Sequence, residues 1–120
     1  MRRGLALLLF LAVGFLAGCG DAIDWNATHE GMEAVRQALD EGDYAKAKAL
    51  WKPVDQVIHA VYPTLQKKNG PLARDMWHHM ALVELGFMSG DWEKARQGAE
   101  ALPSILKKVE AELGGMSAGP

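Results

Sequence analysis

The side chains best suited to holding an ion or moving a proton in this 120-residue chain are its four histidines, His29, His59, His78 and His79, together with the carboxylates around them. Asp75 and His79 are four residues apart. A helix through this stretch would set them on one face, where a carboxylate and an imidazole can share a metal ion. A metal site built from Asp75, His79 and a distant His59 is the arrangement that this spacing allows. His78 and His79 are adjacent, so on a regular helix they diverge by roughly 100° and cannot serve one ligand. No H-E-x-x-H pair and no Cys–His cluster is present, which excludes the standard zinc spacings. Met32, Met76, Met80 and Met88 are the softer candidate ligands. Met32 with His59 or His79 could supply the two axial ligands of a haem, but there is no C-x-x-C-H for covalent attachment. Methionines at helical spacing are also ordinary core residues. The expectation is therefore a protein without a cofactor. The alternative is a haem or metal ion held through Met32, His59, Asp75 or His79.

Catalysis needs a nucleophile, or a paired acid and base, in a concave site. Cys19 is the only cysteine, Ser and Thr are few, and no Gly-rich phosphate loop occurs. The carboxylates are spread along the chain, as on a solvated surface. An enzyme is not expected. The four tryptophans offer another kind of chemistry, since aromatic side chains anchor interfaces. Trp51 and Trp92 sit beside apolar stripes and suit a core. Trp25 and Trp77 lie off them and are the candidates for contact with a partner.

The elements that must position these residues are helical. Met32, Val35 and Leu39 recur at helical spacing from a cap at Thr28, with Glu30 in the first turn, and Glu41-Gly42 ends that helix. Asp43 caps a second helix with the stripe Ala47, Leu50, Trp51, Val54, Val57, Ile58, Val61 and Leu65; Pro53 and Pro63 predict kinks or segments within it. Asn69-Gly70-Pro71 opens a third helix, with Leu72, Met76, His79 or Met80, Val83 and Phe87 on its apolar face. Asp91 caps a fourth, with Ala95, Ala99, Leu102, Leu106, Val109 and Leu113. Residues 114–120 have the composition of a disordered tail. No stretch alternates with the period of a strand. Short loops predict antiparallel neighbours. The fold expected is all-α, two αα-hairpins forming an antiparallel four-helix bundle over residues 28–113.

The two halves repeat. Gly42-Asp43-Tyr44-Ala45-Lys46-Ala47-Lys48 matches Gly90-Asp91-Trp92-Glu93-Lys94-Ala95-Arg96 at an offset of 48, which also pairs Met32 with Met80, Val35 with Val83 and Leu39 with Phe87. The G-D-[YW]-x-x-A turn resembles the helical hairpins of tetratricopeptide-type repeats, which bind peptides and proteins. The offset departs from their period of 34, and only two units are present. A second resemblance concerns Lys94 to Leu102, similar to the final helix of periplasmic b-type bundle cytochromes, with Met32 in the first helix as their Met ligand is. No histidine follows His79, so the second ligand of that family is missing.

The N-terminus carries an address. Arg2-Arg3 precede an apolar run from Leu5 to Leu16, too short to cross a ~30 Å hydrocarbon core as a helix, and small residues follow. Leu16-Ala17-Gly18-Cys19 resembles the bacterial lipobox. The resemblance implies a signal peptide over 1–18 that is cleaved, and a diacylglycerol on Cys19 that ties the chain to a membrane through a tether over 19–27. Two acyl chains suffice for stable anchoring, and lipidation would also remove the one free thiol from an oxidising compartment. Gly20 stands where Asp signals inner-membrane retention in enteric bacteria, so the outer membrane, facing the periplasm, is slightly favoured. Loss of Arg2 and Arg3 leaves 11 Lys and Arg against 15 Asp and Glu, a net charge near −4. With no basic run, nucleic acid is not an expected partner. The function expected is a membrane-anchored envelope lipoprotein acting as a non-enzymatic interaction or accessory module, with an envelope protein as its partner.

Overall fold

A computed structural model describes residues 23–118, with side chains described to residue 114; Leu16 to Cys19 lie outside the described residues. Among the described residues there are four helices and no strand: α1 (Trp25–Asp40), α2 (Tyr44–Lys68), α3 (Gly70–Ser89) and α4 (Trp92–Ala118). Each helix packs on its neighbours in sequence, and α4 closes back on α1. Helices α2 and α4 touch along a diagonal, whereas α1 and α3 do not. One core results. Met32, Leu39, Ile58, Leu65, Met76, Leu102 and Leu106 are among its largest fully buried side chains, each contributing about 1.5–3 kcal/mol by leaving water.

Helix α1 starts earlier than its sequence suggests. Its cap is Asp24, whose side chain accepts from the Ala27 amide at 3.0 Å. Thr28, the expected cap, is buried inside the helix and donates its hydroxyl to the Asp24 carbonyl at 2.9 Å. The cause is Trp25, which is only 7% exposed: docking its indole in the core draws the first turn forward, and Ile23 packs there too. Helix α2 runs unbroken through Pro53 and Pro63 rather than in segments. The carbonyls these prolines free, four residues back, belong to Ala49 and His59, both exposed residues, where water can take the place of the missing amides. Helix α4 continues past Gly114 to Ala118, where a tail was expected. In α3 it is Met80, not His79, that takes the core position.

The repeated turns have the same geometry. Gly42 and Gly90 adopt φ of +78° and +75°, a left-handed conformation that glycine reaches without a Cβ penalty. The next amide closes each helix from five residues ahead, Asp43 to the Ala38 carbonyl and Asp91 to the Gly86 carbonyl, both 2.9 Å. The same aspartates then accept from the Lys46 and Lys94 amides at 3.3 and 3.1 Å, capping α2 and α4 at about 1 kcal/mol each. The correspondence continues down both second helices. Ala47, Val54, Ile58, Val61 and Leu65 are buried, and so are their counterparts Ala95, Leu102, Leu106, Val109 and Leu113. The turn aromatics Tyr44 and Trp92 are counterparts as well, and they stack on each other with centroids 4.1 Å apart and planes 3° from parallel.

Candidate functional site

Of the residues singled out by sequence reasoning, all but Cys19 have side chains within the described region, and the structure distributes them widely. Met32 is fully buried in the core, as are Met76 and Met80 to within 4%, whereas Met88 is 80% exposed. Trp25 is buried, so its indole faces the core and not a partner. Trp77 is half-buried, its ring lying 4.4 Å from Tyr62 and 5.0 Å from His59. Asp75 and His79 do meet on one face of α3. His79 Nδ1 lies 2.9 Å from the Asp75 carbonyl and 3.3 Å from its Oδ1. Among the described residues no third histidine or acidic group joins that pair closely enough to share an ion. Cys19 is outside the described residues.

The group that does converge contains His59 but not Asp75 or His79. Asp55 and His59 lie one turn apart on α2, with Asp55 Oδ1 and His59 Nε2 at 3.2 Å. Glu84 reaches them from α3, and one ligand atom from each of the three side chains lies within 4.8 Å of the others. Trp51, buried one turn before Asp55, donates its indole N–H to Glu84 Oε2 at 3.1 Å. Its ring meets Phe87 edge to face at 6.5 Å. The trio therefore has a floor of fixed aromatic groups: Trp51 below Glu84, and Trp77 beside His59.

The electrostatics of this cluster are unusual. Asp55 and Glu84 are both partly buried. Among the described residues neither forms an ion pair with Lys or Arg, and the imidazole of His59 is the basic group beside Asp55. Asp55 Oδ1 has almost no contact with water, and its polar neighbours are the other members of the trio. Burial, followed by the hydrogen bond and charge of Glu84, pushes the Asp55 carboxyl up to about 6, and His59 offsets this only in part.

Two further groups of polar residues were not predicted. His29 is mostly buried against Trp25, with Nε2 2.7 Å from Glu110 Oε1 and Nδ1 without a partner. It borders an open groove of about 340 Å³ between α1 and α4, lined also by Glu30, Glu33 and Lys107. Along the same pair of helices Arg96 bonds Asp40 at 3.3 Å, and Arg36 approaches Glu100 at 3.9 Å. Exposed pairs of this kind add little to stability. Comparison of the chain with protein-family models, with curated proteins and with solved structures finds no match.

Proposed function

We propose that this chain is an exported lipoprotein, anchored through Cys19, whose helical module works by contact with an envelope protein and not by catalysis. The observation that carries this reading is the distance between anchor and domain. Cys19 stands five residues before Asp24, the cap of α1. At ~3.3–3.6 Å per residue the tether spans no more than about 18 Å. It is shorter than the stretch to residue 27 that composition suggests, because α1 begins at Trp25. No helix of the described residues is long and apolar enough to cross a membrane, and the attachment we invoke is the lipid.

We read the helices as two antiparallel hairpins. His29 near the start of α1 touches Glu110 near the end of α4, and Asn69 before α3 donates to Glu112 at 3.2 Å. On this reading the anchored end of the bundle holds the start of α1, the start of α3 and the end of α4. The Gly-Asp turns lie at the other end. Leu85 and Met88, the two large apolar side chains most exposed among the described residues, sit at i and i+3 on α3 near those turns. They stand ~25 Å along the bundle from its anchored end, at 1.5 Å of rise per residue. A module so built presents an apolar contact on the side away from its membrane, which suits an accessory protein that meets a partner in the envelope space.

Two measurements test the proposal. Mass spectrometry of the protein from bacterial membranes should find an N-terminal peptide starting at Cys19 and carrying acyl chains, and Cys19→Ala should release the chain from the membrane fraction. A chain cut elsewhere, or unlipidated, would remove the anchoring reading. For the contact, a photo-crosslinker placed at Met88 in cells should give a discrete adduct that Leu85→Glu abolishes and that a crosslinker at Glu30 does not give. Equal adducts at both positions would remove the interaction reading.

A further inference from the structure

We propose that Asp55, His59 and Glu84 form a binding site for one divalent transition-metal ion of the zinc class. The ligand types select the ion. One imidazole nitrogen and two carboxylate oxygens make a mixed set that suits zinc and its neighbours, with thiolate absent. Calcium and magnesium are disfavoured, because they seek six or more oxygens or a shell rich in water. Three protein ligands and an open position is a common zinc arrangement.

The geometry is close to what such an ion needs. Bonds of ~2.0–2.2 Å in a tetrahedron put ligand atoms roughly 3.3–3.6 Å apart. Asp55 Oδ1 and His59 Nε2 are already 3.2 Å apart, and all three ligand atoms fall within 4.8 Å of one another. Rotation of the Glu84 side chain alone can close a gap of about an ångström. The backbone can stay in place, since Asp55 and His59 share one helical face and Glu84 comes from the helix packed against it.

Two observations support a cation there. Asp55 Oδ1 is shut off from water and its polar neighbours all belong to the cluster, with His59 Nε2 at 3.2 Å and the Glu84 carboxyl beside it, so a metal bond would serve a carboxylate that water does not reach. Glu84 is held by the buried Trp51 indole at 3.1 Å, the kind of outer hydrogen bond that orients a ligating carboxylate. Among the described residues the Asp75–His79 pair, with the same spacing, has neither a third ligand nor such support. It is therefore the internal control. The inference does not depend on the lipid anchor or on the contact at Met88.

The test is a Zn²⁺ titration of the metal-stripped full chain in detergent micelles, followed by calorimetry and by the fluorescence of Trp51 and Trp77, with Co²⁺ absorption to report the coordination. One ion should bind per chain and change the tryptophan emission. His59→Ala and Glu84→Gln should each weaken binding at least about tenfold. Trp51→Phe, acting through Glu84, should weaken it by about 10–100-fold. His79→Ala should leave it unchanged. Glu84→Gln keeps the side-chain shape, and circular dichroism of each variant verifies that the fold is kept. No binding at millimolar Zn²⁺, equal affinity in His59→Ala, or loss in His79→Ala instead would each overturn the proposal.

Discussion

A single methyl group added at Gly98 should unseat α4 from α3. A Cβ built at this position lies 2.5 Å from the His79 carbonyl oxygen, 2.8 Å from Val83 Cγ2 and 3.0 Å from Leu82 Cβ. The first of these is backbone inside a helix and cannot rotate away, so the helices must separate by most of an ångström. Overfilling of this kind costs about 1–3 kcal/mol, and a backbone obstacle places it at the upper end. Replacing glycine by alanine inside a helix returns about 1 kcal/mol. The net loss for Gly98→Ala is therefore about 2 kcal/mol, a fall in Tm of roughly 8–16 °C for a domain of this size. Gly114→Ala is the matched control: it is in the same helix with nothing within 4 Å of the new Cβ, so it should be neutral or stabilising by up to about 1 kcal/mol. The assay is urea unfolding followed by far-ultraviolet circular dichroism, with thermal melts in parallel. Gly98→Ala at least as stable as the parent would refute the reasoning, for it would mean that the two backbones do not touch there.

Other perturbations have equally definite outcomes. The Asp55 carboxyl is raised from 3.8 to about 6 in the fold, so its contribution to stability is complete below pH ~4 and is lost as pH rises through about 6. With Glu84 and His59 as the groups facing it, Asp55→Asn should flatten the urea midpoint between pH 4 and 7. It should also stabilise the metal-free protein at pH 7 by on the order of 1 kcal/mol, once the ~3 kcal/mol equivalent of the shift is discounted for solvent screening; a steeper profile in the variant would contradict this. A double-mutant cycle on Tyr44→Ala and Trp92→Ala should give a coupling of about 0.5–1.5 kcal/mol from their stack, and a coupling of zero in urea unfolding would show that the two rings do not interact. Gly42→Ala and Gly90→Ala meet nothing within 4 Å, so each should cost only the left-handed backbone strain, roughly 1–2 kcal/mol by thermal melt; a loss more than twice as large would mean that sterics act at the turns too.

Much of the fold was legible because local rules and packing agree. Gly42 and Gly90 end helices, Asp43 and Asp91 start them, and the structure places all four in those roles. The duplication was visible at the turns, where few side chains satisfy the backbone. It was faint along α2 and α4, where Trp51 stands opposite Ala99 and Leu50 opposite Gly98: a packed core constrains total volume more than identity at each position. The errors have a common source. The start of α1 was misplaced because Thr28 is a good cap by type, yet the burial of Trp25 outweighs a cap of about 1 kcal/mol. The prolines do not divide α2 into segments, because the cost of a proline depends on whether water can reach the carbonyl it frees, which is a property of the fold.

The candidate site shows where sequence reasoning stops. Asp55 and His59, like Asp75 and His79, are four residues apart on one helix, and nothing local distinguishes one pair from the other. The difference comes from the helix opposite. Glu84 faces the first pair across the α2–α3 contact, carried there by a register that the single-residue connection at Asn69 sets. Among the described residues no such group faces the second. Glu84 reads in the sequence as one more surface carboxylate. Its neighbour Val83 is a core residue, so a side chain one position on sits at the core boundary, where it can be half-buried and still reach a partner. Trp51 reads only as a core aromatic, and its burial is indeed what fixes the indole N–H toward Glu84. A trio that spans two helices is thus encoded by three properties at once: a spacing of four, a boundary position one residue from the stripe, and the register of the turn. Each is commonplace alone. Their coincidence at Asp55, His59 and Glu84 leaves two carboxylates together with no Lys or Arg between them, and that unbalanced charge is what a metal ion would neutralise.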